Sequence, residues 1–95
     1  MEAMTNQRVI ARTVRQLRLA LGDTQQQFAE RMGWAISTAV RYETTRAPRG
    51  RALADLARMA IARGWDDIAS VFRMTLAEEL GIKSYDVDFL WRKER

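Results

Sequence analysis

The amino-acid sequence predicts an all-α protein with five helices. Only one proline and five glycines occur in 95 residues, so long stretches of chain can remain helical without interruption. Apolar residues recur three and four positions apart in several of these stretches, which is the spacing of one buried helix face. The composition agrees, because 47% hydrophobic and 29% charged residues are typical of a folded globular chain.

The first helix is expected from about residue 5 or 6 to residue 21. Its apolar stripe consists of Ile10, Val14, Leu17 and Leu21. A basic stripe beside it consists of Arg8, Arg12, Arg15 and Arg18. For Arg8 and Arg12 we favour a solvated helix face over a binding role.

Two short helices joined by a tight turn are predicted next. Thr24 and Gln27 have the spacing of a capping box, so a helix should begin at Gln25. Gly33 follows the apolar residues of this helix, and glycine adopts the positive φ that the turn needs without steric cost. The next helix is expected over about residues 35–44, with Ala39, Tyr42 and the preceding Trp34 facing inward. Two helices in this arrangement form a helix-turn-helix, whose second helix can enter a DNA major groove.

Several spaced residues carry a more specific likeness. They are Thr-Gln-x-x-Phe-Ala-Glu-Arg-Met-Gly over 24–33, Ser37-Thr38, and Arg41-Tyr42-Glu43. This pattern resembles the lambda-repressor-like (Cro/CI or XRE) DNA-binding domains, and the match covers roughly residues 14–60. It implies a five-helix lambda-repressor-like bundle over residues 1–81, with the helix-turn-helix at about 24–44 and a C-terminal tail at 82–95.

The resemblance also implies roles for individual residues. Arg18 would form a partly buried ion pair with Glu43, which orients the third helix. The N-terminus of the second helix would bind a DNA phosphate. The expected phosphate contacts are Gln25, Gln26, Arg46, Arg49, Arg51 and Arg18.

Base contacts are expected on the outward face of the third helix. Helical spacing and residue type suggest Arg41, Ser37, Val40, Ile36 and Thr38. Arg41 can bind guanine O6 and N7, and the aliphatic side chains can contact thymine methyl groups. The sequence departs from the family here, because Trp34 replaces a small aliphatic residue and Ala35 replaces a Ser or Thr cap. A patch of Ile36 and Val40 that binds a protein partner is the alternative.

The charge distribution favours a polyanionic partner for the first part of the chain. Residues 1–64 carry a net charge of +6, and residues 65–95 carry −2. The chain has no histidine and no cysteine, so His-based catalysis and thiolate metal sites are excluded. We therefore expect no enzyme activity and no cofactor. No apolar run is long enough to span a bilayer, so we expect no membrane insertion and a cytoplasmic location in association with a bacterial or phage nucleoid.

The last part of the chain is predicted to contain two more helices and a tail. The fourth helix should span about residues 51–63. The fifth should begin with Asp66 as N-cap and carry a stripe of Ile68, Phe72, Leu76 and Leu80. In the tail, apolar residues alternate with other residues as in a strand. We expect the alternating apolar residues of the tail to form a homodimer interface, and they are Tyr85, Val87, Phe89 and Trp91. A short helix is a second reading of the tail's pattern, and packing of the tail on its own core is the alternative to a dimer interface.

The expected function is sequence-specific binding of double-stranded DNA by a transcriptional regulator. The preferred interpretation is a repressor that binds an inverted-repeat operator as a homodimer. An antitoxin-type or adaptor protein, which would use the same fold to bind another protein, is the alternative.

Overall fold

The computed structural model describes residues 7–83 and 86–88. This part of the chain contains five α-helices and no β-strand, which confirms the all-α prediction. The helices are α1 (Gln7–Leu21), α2 (Gln25–Met32), α3 (Ile36–Tyr42), α4 (Arg51–Ala62) and α5 (Asp66–Leu80). None of these described helices is long and apolar enough to span a bilayer.

Two compact units divide the described chain. The N-terminal unit lies within Asn6–Pro48 and contains α1, α2 and α3. The C-terminal unit begins at Arg49 and contains α4, α5 and residues 86–88.

Buried apolar side chains define the inward faces of the N-terminal unit. On α1, Ile10, Val14 and Leu17 are buried as their spacing predicts, whereas Leu21 is only partly covered. The other buried apolar residues of the three helices are Ala11, Phe28, Ala29 and Ala39. Alanine at three of these positions allows close approach between elements, because its side chain is a single methyl group.

Local sequence signals set both ends of α2. The Thr24 hydroxyl accepts a hydrogen bond from the Gln27 backbone N–H at 3.1 Å, and the Gln27 side-chain oxygen accepts one from the Thr24 backbone N–H at 2.8 Å. This is the reciprocal capping box that the sequence predicts. At the other end, Gly33 adopts a left-handed conformation with φ of 77°. The Trp34 N–H then donates to the Ala29 carbonyl, so the turn closes tightly.

In the C-terminal unit, α4 and α5 pack against each other. Their buried residues are Leu53, Leu56, Ala57 and Ala60 on α4 and Ala69, Phe72, Leu76 and Ala77 on α5. The backbone N–H of Gly50, which precedes α4, donates to both carboxylate oxygens of Glu79 at 3.0 and 3.1 Å. Glu79 therefore satisfies a backbone donor at the start of α4 that has no side-chain cap of its own.

The predictions for α5 were wrong in two details. Trp65 is the N-cap, without a side-chain cap, and Asp66 is the first helical residue. The carboxylate of Asp66 still lies in the first turn, where the helix dipole favours negative charge. Leu80 is 46% exposed, because residues spaced strictly by four drift around a helix that has 3.6 residues per turn.

The predicted tail strand is also wrong where the structure describes it. Residues 86–88 form a 3₁₀ turn, in which the Asp86 N–H donates to the Lys83 carbonyl at 2.9 Å. Val87 is fully buried within this chain, and Asp88 forms an ion pair with Arg73 of α5 at 2.8 Å. A turn that folds back on its own unit cannot pair as a strand. The predicted interface residues Tyr85, Phe89 and Trp91 lie outside the described residues.

Replacing Gly33 with valine should destabilise the protein through the backbone alone. A Cβ atom at this position would meet nothing within 4 Å, so the cost comes from positive φ in a β-branched residue. We expect a loss of about 1 to 3 kcal/mol in the free energy of unfolding, measured by urea denaturation. Gly33→Asn is the matched control, because asparagine tolerates this conformation better and should cost less. Equal stability of the valine variant and the wild type would contradict the assignment.

Candidate nucleic-acid interface

The third helix presents an outward face at its first and last turns. Ile36 is 50% exposed, and Ser37 and Arg41 are also exposed. Residues at these positions share one side of a helix. Thr38 and Val40 are only partly exposed. Val40, which was expected on the outward face, therefore offers less accessible surface than a fully exposed residue would. The inward side is formed by Ala39, which is fully buried.

The start of α3 lacks the usual side-chain cap. Ala35 is the N-cap, and only its carbonyl oxygen takes part, accepting from the Thr38 and Ala39 N–H groups. Ser or Thr at an N-cap contributes about 1 kcal/mol relative to alanine. Since α3 has only seven residues, its position depends on contacts with the rest of the N-terminal unit.

Trp34 supplies one of these contacts. Its ring lies edge-to-face with Phe28 of α2 at a centroid distance of 5.8 Å and with Tyr42 of α3 at 5.0 Å. Such aromatic pairs contribute about 0.5 to 1.5 kcal/mol beyond their buried area. The tryptophan after the turn, which was expected to face inward, therefore links the two helices.

The ion pair between Arg18 and Glu43 supplies the second contact. Arg18 Nε lies 2.6 Å from Glu43 Oε2, and Nη2 donates to Oε1 at 3.2 Å. The two side chains are 12% and 3% exposed. Arg18 Nη1 also donates to the Asp23 carbonyl at 3.0 Å. One guanidinium group therefore connects α1, the loop before α2 and the residue that ends α3.

Gln25 lies beside the same carboxylate. Its side-chain Nε2 is 3.5 Å from Glu43 Oε1, and the residue is partly buried. Gln26, the next residue, is exposed. The N-terminus of α2 and the C-terminus of α3 therefore meet at Glu43.

A second ion pair in this unit was missed by sequence reasoning. Arg31 donates from Nε and Nη2 to the two carboxylate oxygens of Asp23 at 2.6 and 2.9 Å. The Asp23 side chain is only 7% exposed. Its hydrogen bonds raise the pKa of the Arg31 guanidinium above the ordinary value and outweigh the opposing effect of burial. Bidentate geometry of this kind fixes the direction of both side chains.

The three loop arginines are exposed, but they belong to different units. Arg46 lies in the N-terminal unit, whereas Arg49 and Arg51 lie in the C-terminal unit. Arg51 forms a loose pair with Asp55 at 3.7 Å and its side chain is 93% exposed. Their guanidinium groups are accessible to an anion from solvent.

Comparison with known proteins gives one result that bears on this site. A family model described as a helix-turn-helix domain matches residues 9–63, which is more than half of the chain. The matched segment runs from α1 through α4 and includes the turn between α2 and α3. Comparison with curated proteins and with solved structures finds no match.

The family result agrees with the geometry of α2 and α3 and with the resemblance in the sequence. Helix-turn-helix domains are DNA-binding modules, and the second helix of the motif is the one that enters the major groove. On this match, the chain belongs to the helix-turn-helix domain family.

Proposed function

We propose that the protein is a transcriptional repressor that binds double-stranded DNA of a defined sequence. The observation that carries this proposal is the exposed face of α3, where Ile36, Ser37 and Arg41 stand free of the packed side of the helix. A helix fits the major groove, whose base edges differ among the four base pairs.

Arg41 is the principal base-reading residue in this proposal. It is exposed and, among the described residues, no ion pair engages it. Its guanidinium group can therefore bind guanine O6 and N7 together. Ser37 can donate to or accept from a base edge. Ile36, with Val40 behind it, can contact thymine methyl groups, and Thr38 contributes least because it is partly buried.

Phosphate contacts would supply most of the affinity. Gln25 and Gln26 stand at the N-terminus of α2, where free backbone N–H groups attract anions. Arg46, Arg49 and Arg51 are exposed and can each neutralise a phosphate. Arg18 has less freedom, since three of its nitrogen atoms already have protein partners. Its contribution is mainly to position Glu43 and Gln25.

The repressor would act as a homodimer on an inverted repeat. Two recognition helices related by a two-fold axis reach successive major grooves about 34 Å apart. A bound dimer would occlude a promoter without a cofactor or a catalytic step, in the cytoplasm where the DNA lies.

The decisive experiment is selection of bound duplexes from a random DNA pool. We expect enrichment of an inverted repeat with half-sites about 10 base pairs apart. Enrichment of a single half-site would retain DNA readout and reject the homodimer. Recovery of no preferred sequence would reject the proposed function.

A protein partner is the second candidate, because Ile36 is half-exposed on α3 and the partly exposed Val40 extends the same apolar patch. In an antitoxin-type or adaptor protein this residue would contact another protein. Ile36→Asp would then abolish partner binding while affinity for the selected duplex stayed unchanged. If Ile36 contacts DNA instead, Ile36→Asp should change DNA binding, through a loss of preference for thymine at one position.

Removing the Arg41 side chain should reduce sequence preference more than total affinity. For Arg41→Ala we expect the discrimination at one base pair to fall by about 1 to 3 kcal/mol, measured by competition between the selected duplex and single-base variants. Arg41→Lys is the matched control, because lysine keeps the charge but not the bidentate geometry. The Arg41→Lys variant should retain affinity for unrelated DNA and still lose the preference for the selected base pair. An equal loss on every duplex would contradict base reading by Arg41.

Arg49→Ala should weaken binding to all duplexes evenly. Loss of one phosphate contact lowers the slope of log affinity against log salt by about one unit, measured by titration at several salt concentrations. Arg63→Ala, which removes an exposed arginine at the end of α4, is the charge-matched control and should leave the slope nearly unchanged. A change of sequence preference in Arg49→Ala would argue against a phosphate role.

A further inference from the structure

A cleft in the N-terminal unit has no role in the function proposed so far. It opens between α1 and the end of α3 and has a volume of about 530 Å³. Three arginines of α1, Arg8, Arg12 and Arg15, line one side, and Glu43 and Thr44 line the other. The sequence analysis treated Arg8 and Arg12 as solvated, because nothing in the local pattern shows what α1 faces.

The charges around this cleft are not balanced within the unit. Residues 7–48 contain seven arginines and three acidic residues. Glu43 is bound to Arg18 and Asp23 to Arg31, which leaves Glu30 as the remaining carboxylate. In the part of the chain that the structure describes, no ion pair engages the three cleft arginines, and all three are exposed. The cleft therefore presents positive charge that no described carboxylate pairs with and that can bind an anion.

The three arginines occupy positions that form a row along α1. Positions 8, 12 and 15 share one edge of α1, and the rise of 1.5 Å per residue spreads them over about 10 Å. A small compact anion is best held by groups that converge on one point. A row about 10 Å long suits an extended polyanion such as a DNA strand, which presents a phosphate about every 3.4 Å along the helix axis and therefore about three intervals over that length.

Glu43 links this row to the proposed DNA interface. The residue lines the cleft and also contacts Arg18 and Gln25, which border the proposed phosphate site at the start of α2. Thr44, on the same wall, follows the base-reading Arg41 by three residues and donates its hydroxyl hydrogen to the Val40 carbonyl at 3.0 Å. The cleft therefore begins where the reading face of α3 ends.

We infer that Arg8, Arg12 and Arg15 bind phosphates of the DNA backbone just beyond the base pairs that α3 reads. This inference rests on the proposed function and extends the footprint of each subunit beyond the base pairs that α3 reads. The cleft is a backbone clamp, which adds affinity and salt dependence but no sequence preference.

The test compares the wild type with a triple variant, Arg8→Gln, Arg12→Gln and Arg15→Gln. Glutamine has nearly the helix propensity of arginine, and melting followed by circular dichroism checks that the fold is retained. Binding is measured at 50 to 200 mM salt on the selected duplex with long flanks. Loss of three phosphate contacts should lower the salt slope by up to about 2.7, so over this range the wild type should lose roughly 40-fold more affinity than the variant.

A trimmed duplex and two control variants locate the effect. On a duplex that ends at the last base pair read by α3, the phosphates for the clamp are missing, and both proteins should have the same slope. Lysine at all three positions should keep the wild-type slope, because it binds phosphate as a point charge. A double variant, Arg63→Gln and Lys83→Gln, removes two exposed charges from the C-terminal unit and should leave the slope nearly unchanged.

Each contrary result has a separate meaning. If the cleft variant binds selectively and its salt slope equals that of the wild type, this inference alone is overturned. The same holds if the variant's salt slope falls by the same amount on the long and the trimmed duplexes. Binding of a poly-glutamate peptide that the cleft variant loses, with its DNA slope intact, overturns it in favour of an acidic protein partner. Failure of the wild type to prefer any duplex overturns the proposed function as well.

Discussion

The geometry of the N-terminal unit depends on the ion pair between Arg18 and Glu43. Glu43 follows the last residue of α3, and its carboxylate accepts from Arg18 on α1 and lies beside Gln25 at the start of α2. A charge pair with only 12% and 3% side-chain exposure loses much of its attraction to desolvation. The ion pair therefore fixes the orientation of the helices more than it adds to the free energy of unfolding. Three helix ends are set relative to one carboxylate, and the angle at which α3 leaves the turn follows from that arrangement.

A short third helix makes this constraint necessary. Helices shorter than about 12 residues are marginal in isolation, and α3 has seven residues and no side-chain cap. Trp34, which lies just before α3, packs against Phe28 of α2 and against Tyr42 at the end of α3. The ion pair with Arg18 fixes Glu43, the residue that follows α3. Because the stabilising contacts lie on the inner side and at the ends, the outer side remains available. The two edge-to-face contacts of Trp34 add stabilisation to a helix that has no side-chain cap.

How much local spacing alone could predict depended on how far apart the interacting residues are, whereas the Arg18–Glu43 pair, 25 residues apart, was expected only from the family resemblance. The ends of α2 were predictable because Thr24 and Gln27 are three residues apart and Gly33 acts on its own backbone. The pairs Asp23–Arg31 and Gly50–Glu79 were missed, since eight and 29 residues separate their partners and no local spacing signals them. The strand prediction for the tail was wrong for a different reason. A short alternating pattern fits a strand, a 3₁₀ turn and a loop equally well, and burial of Val87 decided between them.

The arginines of the N-terminal unit divide into two groups with different physical tasks. Arg18 and Arg31 are bound to the buried carboxylates of Glu43 and Asp23, so they hold the fold and contribute little to the outer field. Five others have no such partner among the described residues: Arg8, Arg12, Arg15, Arg41 and Arg46. Only Arg41 lies on the outer face of α3. If the unit binds DNA, most of its positive charge faces phosphates, and a small number of side chains on α3 must supply the discrimination. Affinity would then depend strongly on salt, whereas the preference among sequences would not.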